Sequence, residues 1–358
     1  MIYNINVLKM IKIDEVKIFN EIRTRKPKKI CISAPDGLMM YLEDISTRIT
    51  KEFGIDVFIM GEDVGKFEGS YAVTKGFLEK YGKERIRDTP ISESVIVGSG
   101  IGAALLGLKP IIEIMTINFT LLAIDQIVNH AAKLCYMSDG QLQVPIVIRT
   151  VTGGGAQLGA THSQNFENWF ASVPGLTVVT PSDPYDALGL LRTSINSPNP
   201  VIFAEHATLY RTTGDVPKKP YTIPFGKAKI KKPGEDITLV AYSKSVHTAL
   251  EASEILTAKG ISAEVIDLRT LSPLDIETIL DSIRKTNRAI VIEETWKTGG
   301  FNSELITRIQ ENIFDSLDGP IGRVNSDDVP SPYSGNLEAS ILPSANKIVD
   351  LAYELYGF

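Results

Sequence analysis

The chain alternates short runs of β-branched and aliphatic residues with longer stretches whose apolar positions recur every three or four residues. Runs of the first kind are Val57–Met60, Ile111–Ile114, Pro145–Arg149, Thr177–Val179 and Val201–Ala204. They are short, rich in β-branched residues and nearly continuous in apolar character, as strands buried on both faces of a parallel sheet are. Between them the pattern predicts helices over Leu121–Cys135 and Pro184–Asn196, the second opened by Ser182–Asp183 with proline in its first turn. Another helix is predicted to open at Ser92 and to run on through the small and apolar residues up to Gly107. The polar stretch Thr212–Pro220 has two prolines, a glycine and no apolar period, so it reads as a linker. After it the alternation restarts, with strands over Ile237–Ala241, Ala263–Asp267 and Ala289–Ile292. Helices follow over Val246–Lys259, closed by Gly260, over Pro273–Lys285, opened by Ser272, and from Ser344 to Tyr356. The pattern therefore predicts an α/β protein of two domains, each a mainly parallel sheet flanked by helices. The expected division is an atypical N-terminal extension over 1–35, a first α/β domain over 36–211, a linker over 212–225 and a second α/β domain over 226–358.

Composition narrows the function classes. With 43% hydrophobic and 22% charged residues over 358 positions, the chain can bury a large core. The net charge of −6, with lysines and arginines scattered, offers no basic stripe for nucleic acid and no polybasic segment for a membrane surface. No apolar run reaches the roughly 20 residues of a membrane span. Met1–Lys12 lacks a basic region feeding an apolar core, so export is not expected. Cys31 and Cys135 are far apart and lack CxxC spacing, which suits reduced thiols and a cytoplasmic location. None of His130, His162, His206 and His247 is spaced with another as a metal pair.

Five residues could carry chemistry. Glu93 stands at the mouth of the helix opened by Ser92, ahead of apolar residues. Burial raises a carboxylate's pKa and makes it a candidate proton donor to a ring nitrogen. It could equally do no more than complement the helix N-terminus. Glu62 and Asp63 follow a predicted strand and could bind a metal, cap a turn or act as acids. Phe119, past the next strand, could offer an aromatic face to a flat ring or lie in the core. The glycine-rich stretch Thr152–Gln164 contains His162, which titrates near neutrality and could bind or protonate an oxyanion. That stretch lacks the spacing of a phosphate-binding loop. Gly98, Gly100 and Gly102 fall inside a helix rather than at its opening turn, so they suggest close packing of another backbone or subunit, not a dinucleotide fingerprint.

A resemblance draws these positions together. Gly61-Glu-Asp-Val64, Lys80-Tyr-Gly82, Asp88-Thr-Pro-Ile-Ser-Glu93, Ala123-Ile-Asp-Gln126, Tyr136-Met-Ser138, His162-Ser-Gln164, Pro174-Gly-Leu-Thr-Val178 and Asp328-Val-Pro-Ser-Pro-Tyr333 resemble, in order and spacing, the β subunit of a 2-oxo acid dehydrogenase E1 component. The match runs from about Val57 to the C-terminus. It implies a transketolase-like fold, with a pyrimidine-binding domain and a C-terminal domain, and a thiamine diphosphate enzyme that decarboxylates a 2-oxo acid, with pyruvate as the expected substrate. By that resemblance Glu93 bonds the N1′ nitrogen of the cofactor's aminopyrimidine and Phe119 contacts the ring. His162 assists the bound substrate and acyl transfer to the lipoyl group of an E2 acyltransferase, which docks through the C-terminal domain. Glu62 belongs to an acidic channel between two active sites.

The resemblance also implies a structural potassium ion held mostly by backbone carbonyls near Ile146, Ser194, Ile195, Ser197 and Asn199, although Ser197 stands where some relatives have an acidic residue. The family's motif for magnesium and diphosphate begins Gly-Asp-Gly; here Pro35-Asp-Gly37 and Ser138-Asp-Gly140 are not followed by the rest of it. An α subunit must then supply Mg2+ and diphosphate binding, in an α2β2 assembly. The stretch Lys29–Leu38 departs from the family and faintly resembles the start of a diphthamide-synthesis protein. An acetoin-cleaving enzyme shares these motifs and is the alternative within the class. A non-catalytic scaffold and a self-sufficient transketolase-type enzyme are the alternatives outside it.

Overall fold

The computed structural model describes residues 57–357. The predicted extension over 1–35, the front of the first domain up to residue 56, and Cys31 lie outside the described residues. Twelve strands are described: β1 Val57–Gly61, β2 Ile86–Asp88, β3 Lys109–Ile114, β4 Val147–Thr152, β5 Thr177–Val179, β6 Val201–His206, β7 Lys229–Lys232, β8 Ile237–Ala241, β9 Ala263–Asp267, β10 Thr270–Ser272, β11 Ala289–Trp296 and β12 Gly322–Ser326. They form a seven-stranded sheet in the order β10-β5-β6-β4-β3-β1-β2 and a five-stranded sheet in the order β12-β11-β8-β9-β7. β1 to β6 pair in parallel, and only β10 joins that sheet antiparallel. In the second sheet only β7 runs antiparallel. The central strands β4, β8 and β9 are buried at every position, polar residues such as Arg149, Glu264 and Asp267 included.

Two local expectations are corrected. Leu121–Cys135 is not one α-helix but a 3-10 turn over Ile117–Ala123, a π-helical turn over Gln126–Ala131 and a short α-helix over Leu134–Met137. The helix predicted from Pro273 begins instead at Ile276, with the Asp275 side chain accepting from the Thr278 amide. Ser272 is taken by β10, which crosses back to pair with β5 of the first sheet. The glycines after Glu93 serve different faces of one helix. A Cβ at Gly100 would lie 2.7 Å from Ile112 and 3.0 Å from Ile146, so this glycine seats the helix Glu93–Leu105 on its own sheet. Gly98 faces the Gln126 side chain and Gly102 faces open space.

One continuous apolar core joins the two sheets, running from Ile112, Ile148 and Ile202 to Val240, Ile266 and Val291. Buried polar contacts cross the same seam. Ser182 donates to Asp267 at 2.5 Å, Arg269 pairs with Asp186 at 2.6 Å, and Lys231 pairs with Asp183 at 2.6 Å. At the end of β6, His206 Nε2 meets Glu294 of β11 at 2.8 Å, with side chains only 2% and 10% exposed. Burial works to raise the Glu294 pKa, but the His206 charge and hydrogen bonds from His206 and the Gly154 amide hold it below its ordinary 4.5.

Truncating His206 leaves the buried Glu294 carboxylate without its partner at 2.8 Å. His206→Ala is expected to cost about 3–5 kcal/mol at neutral pH, seen as a lower urea midpoint. A carboxylate with a depressed folded pKa stabilises above its unfolded pKa and loses that contribution as pH falls through the folded value. The deficit of the variant therefore shrinks in acid, and a deficit that grows there would contradict the assignment.

Candidate active site

In the order β4-β3-β1-β2, four neighbouring parallel strands each hand one of the singled-out residues to the same edge of the sheet. Glu93 follows β2, Glu62 follows β1, Phe119 follows β3 and His162 follows β4. Parallel pairing is what makes this work, because all four strands end on one side. Gly61 pairs with Asp88 on one flank and with Glu113 on the other, and the Thr89 amide bonds the Gly61 carbonyl at 3.0 Å. A Cβ at Gly61 would sit 2.5 Å from the Glu113 carbonyl oxygen, so only glycine lets the strand end pass this close. Asp88 then accepts from the amides of Gly65 at 2.6 Å and Lys66 at 3.0 Å, fixing the loop that leaves Glu62.

Glu93 opens its helix behind the extended Ser92 and is 8% exposed. Among the described residues no group donates a hydrogen bond to its carboxylate. The helix N-terminus offers it partial positive charge, but that does not use its lone pairs on the open side. Glu62 lies close enough to feel it. Loss of hydration, then the charge of Asp63, then that of Glu93 raise the Glu62 pKa above its ordinary 4.5.

Phe119 lies in the 3-10 turn after β3, its ring edge-to-face with His162 at 5.2 Å between centroids. His162 is exposed, and its Nδ1 sits 2.9 Å from the Thr161 hydroxyl. The glycine-rich stretch before it is tied down. The Gly154 amide bonds Glu294 at 3.3 Å, and the Gln157 amide bonds the buried Glu338 at 3.0 Å. Gly153 has φ +90, and a Cβ there would enter the His206 ring. The second sheet and its helices thus hold the stretch that carries His162.

Sequence reasoning missed the buried groups behind these residues. Arg149 of β4 bonds Glu113 of β3 at 2.6 Å and 2.7 Å and the Tyr210 hydroxyl at 2.8 Å, and pairs with Glu205 of β6. Burial pushes Glu113 up against the pull of Arg149. Glu167, fully buried, accepts from Thr152 at 2.6 Å, and burial raises its pKa. Four donors (Tyr242, Asn325 and the amides of Phe301 and Asn302) surround Glu293, which burial still pushes up to about 7. These carboxylates stand in ordinary strand or helix positions, so only their burial marks them.

The residues that the resemblance links to a potassium ion lie at the opposite, amino-terminal edge. The Ile146 carbonyl accepts from Val201 at 2.9 Å, the Ser194 carbonyl from Ser197 at 3.1 Å, and the Asn199 carbonyl from the Ser197 hydroxyl at 3.0 Å. Each of these oxygens keeps a second lone pair. Ile195 lies in the last turn of the helix Pro184–Asn196 beside them. Among the described residues no group of three or more histidine, cysteine, aspartate or glutamate side chains could hold a metal ion, and no helix is long and apolar enough to cross a membrane.

The transketolase pyrimidine-binding domain family matches residues 47–213, and the transketolase C-terminal domain family matches residues 226–348. The chain is 49% identical over 300 residues to the mitochondrial pyruvate dehydrogenase E1 component subunit beta of Pisum sativum, covering 83% of this chain and 84% of that one. It is 46% identical over 326 residues to subunit beta-1 of the same component from Oryza sativa subsp. japonica, covering 89% and 87%. A solved structure of a split-gene transketolase, an inactive β4 tetramer, superposes with a TM-score of 0.68 at 21% identity, over 89% of this chain and 96% of that one. That likeness speaks for the fold alone.

Replacing Glu62 by Gln tests the electrostatics of this edge. A carboxylate whose folded pKa is raised stabilises the folded state only while protonated, so its contribution is lost as pH rises through that value. Glu62→Gln is therefore expected to gain stability over the parent at about pH 8 but not at about pH 4, by under about 1 kcal/mol because the group is partly exposed. Melting curves of the cofactor-free protein at the two pH values measure it.

Proposed function

The chain belongs to the family of pyruvate dehydrogenase E1 component β subunits, and we propose that Glu93, Phe119, His162 and Glu62 form its half of the active site. It is the β subunit of a thiamine diphosphate-dependent 2-oxo acid dehydrogenase, an oxidoreductase that acts with an α subunit. The observation that carries the site assignment is the Glu93 carboxylate, 8% exposed and without a donor among the described residues, on the edge where the other three residues converge. A buried carboxylate with free lone pairs fits a ring nitrogen able to share a proton, and the neighbouring aromatic ring fits a flat heterocycle.

Thiamine diphosphate, when bound, supplies the nucleophilic carbon and the electron sink that let a 2-oxo acid lose carbon dioxide. The chain's own residues do the rest of this half. Glu93 holds a proton at the aminopyrimidine N1′. Phe119 lines the wall for that ring. His162 hydrogen-bonds oxygen on the bound substrate and serves the transfer of the acyl group to lipoyl-E2. Glu62, with its raised affinity for a proton, is a proton store beside Glu93 and toward the second site of the assembly.

The remaining assignments extend this reading. The α subunit holds Mg2+ and the diphosphate, and the assembly is α2β2. The E2 acyltransferase docks on the C-terminal domain. A potassium ion sits at the carbonyls near Ile146, Ser194, Ile195, Ser197 and Asn199, where it would brace the helix Pro184–Asn196 against β4 and β6. The compartment is reducing, here taken as the cytoplasm, in keeping with the free thiol of Cys135.

In the reconstituted α/β complex, Glu93→Gln is expected to lower turnover of pyruvate by about 10² to 10⁴-fold, the range for a lost general acid–base group. Unchanged turnover refutes the N1′ role. Assays with pyruvate, branched 2-oxo acids and acetoin on the same complex decide the substrate, and turnover of acetoin alone overturns the 2-oxo acid assignment. Thiamine diphosphate is expected to bind tightly only when the α subunit is present. Tight binding by the isolated chain, measured by calorimetry, contradicts the shared site.

A further inference from the structure

His162 is the exposed member of a segment whose following polar residues are held. Asn165 Nδ2 donates to the Thr152 hydroxyl at 3.3 Å, and Thr152 in turn donates to the buried Glu167. Gln164 is engaged from the other side. Its Oε1 accepts from Asn118 Nδ2 at 2.5 Å. Asn118 is 7% exposed, and its Oδ1 accepts from the Thr116 hydroxyl at 2.7 Å, so both ends of this amide are committed. Asn118 immediately precedes Phe119, and Gln164 lies two residues past His162. The amide pair therefore bridges the two loops whose rings meet edge-to-face at 5.2 Å.

We propose that Asn118 and Gln164 are positioning residues, a partly buried amide clamp that sets the His162 imidazole against Phe119 and so aims it at the substrate. The inference rests on the reading of His162 as a catalytic residue. Neither clamp residue need touch substrate. Among the described residues only the Thr161 hydroxyl bonds the imidazole itself, so its placement is set by the backbone on either side, and the clamp holds the C-terminal side of it. Ring contact alone would leave His162 free to pivot about that edge.

The test uses the reconstituted α/β complex carrying Asn118→Leu, Gln164→Met or Gln164→Glu, each also combined with His162→Ala. Leu and Met keep the volume and remove the hydrogen bond, whereas Glu at position 164 keeps an acceptor for Asn118. Asn118→Leu and Gln164→Met are expected to lower kcat by roughly 10- to 100-fold, with KM for the 2-oxo acid little changed, as for misplacement of a group used in the transition state. Gln164→Glu is expected to recover most of that loss. In the His162→Ala background the same substitutions are expected to cost less than about twofold, because the clamp acts through the imidazole.

Acylation of His162 by diethyl pyrocarbonate, followed by mass spectrometry on the cofactor-free complex, gives a second readout. The rate is expected to rise several-fold in Asn118→Leu and to stay at the parent value in Gln164→Glu. If Asn118→Leu does not fold, the Gln164 pair decides. Losses that multiply fully with His162→Ala, or a Gln164→Met enzyme as fast as the parent beside a crippled His162→Ala, overturn the clamp alone. A fully active His162→Ala enzyme removes the reading of His162 and the clamp with it.

Discussion

Parallel hydrogen bonding of β4, β3, β1 and β2 is the constraint on which the rest of the molecule depends. In a parallel sheet every strand ends on the same side, so residues that follow different strands are delivered to one edge without any direct pairing between them. Glu62, Glu93, Phe119 and His162 are spread over a hundred positions of sequence, from 62 to 162; the first three sit within a few residues of a strand end, and His162 ends a longer loop held by the second sheet and its helices. Register then sets the fine geometry. The close pass of Gly61 beside the Glu113 carbonyl fixes where Glu62 emerges, and the grip of Asp88 on the Gly65 and Lys66 amides fixes where its loop goes.

The second half of the chain acts on the site through the seam. β10 is drawn from the second half into the first sheet, and the stretch that carries His162 is bonded to Glu294 and Glu338 from beyond the linker. A chain of buried carboxylates lies in and near this seam, each with a different neutralising device. Glu294 has the His206 charge, Glu293 has four donors, and Glu167 has a threonine and a raised pKa. Buried ionisable groups of this kind are costly when mispaired, so they fix one relative placement of the halves where an apolar seam alone would tolerate sliding.

An exposed apolar flank is consistent with a protein that does not act alone. Ile91, Val95 and Leu122 are exposed by 72%, 64% and 63%, and the first two stand beside the start of the Glu93 helix. Gly102, on the same helix, faces open space. Gly100 is used by the sheet beneath it, so the glycines of one helix serve separate faces.

The sequence by itself determined the strands with both faces buried, because burial on two sides favours a short run rich in apolar, β-branched residues that pattern can detect. β5, β8 and β9 fall where their runs predict. The four strands it did not reveal, β2, β7, β10 and β12, are the four outer edges of the two sheets, where charged residues such as those of Lys229–Lys232 protect an open flank and erase the apolar signal. Proline in a first turn foretold the helix Pro184–Asn196, but the same cue failed at Pro273 because Ser272 had a sheet to join. The candidate chemistry was legible in Glu62, Glu93, Phe119 and His162 through motifs that resemble a family. What only the tertiary structure decided is which groups stand behind them. Asn118 and Gln164, His206 and Glu294, and Arg149 between Glu113 and Glu205 meet across 46, 88, 36 and 56 positions. No local pattern encodes such a pairing, because partners at that separation are chosen by the register of the sheets and the closure of the seam.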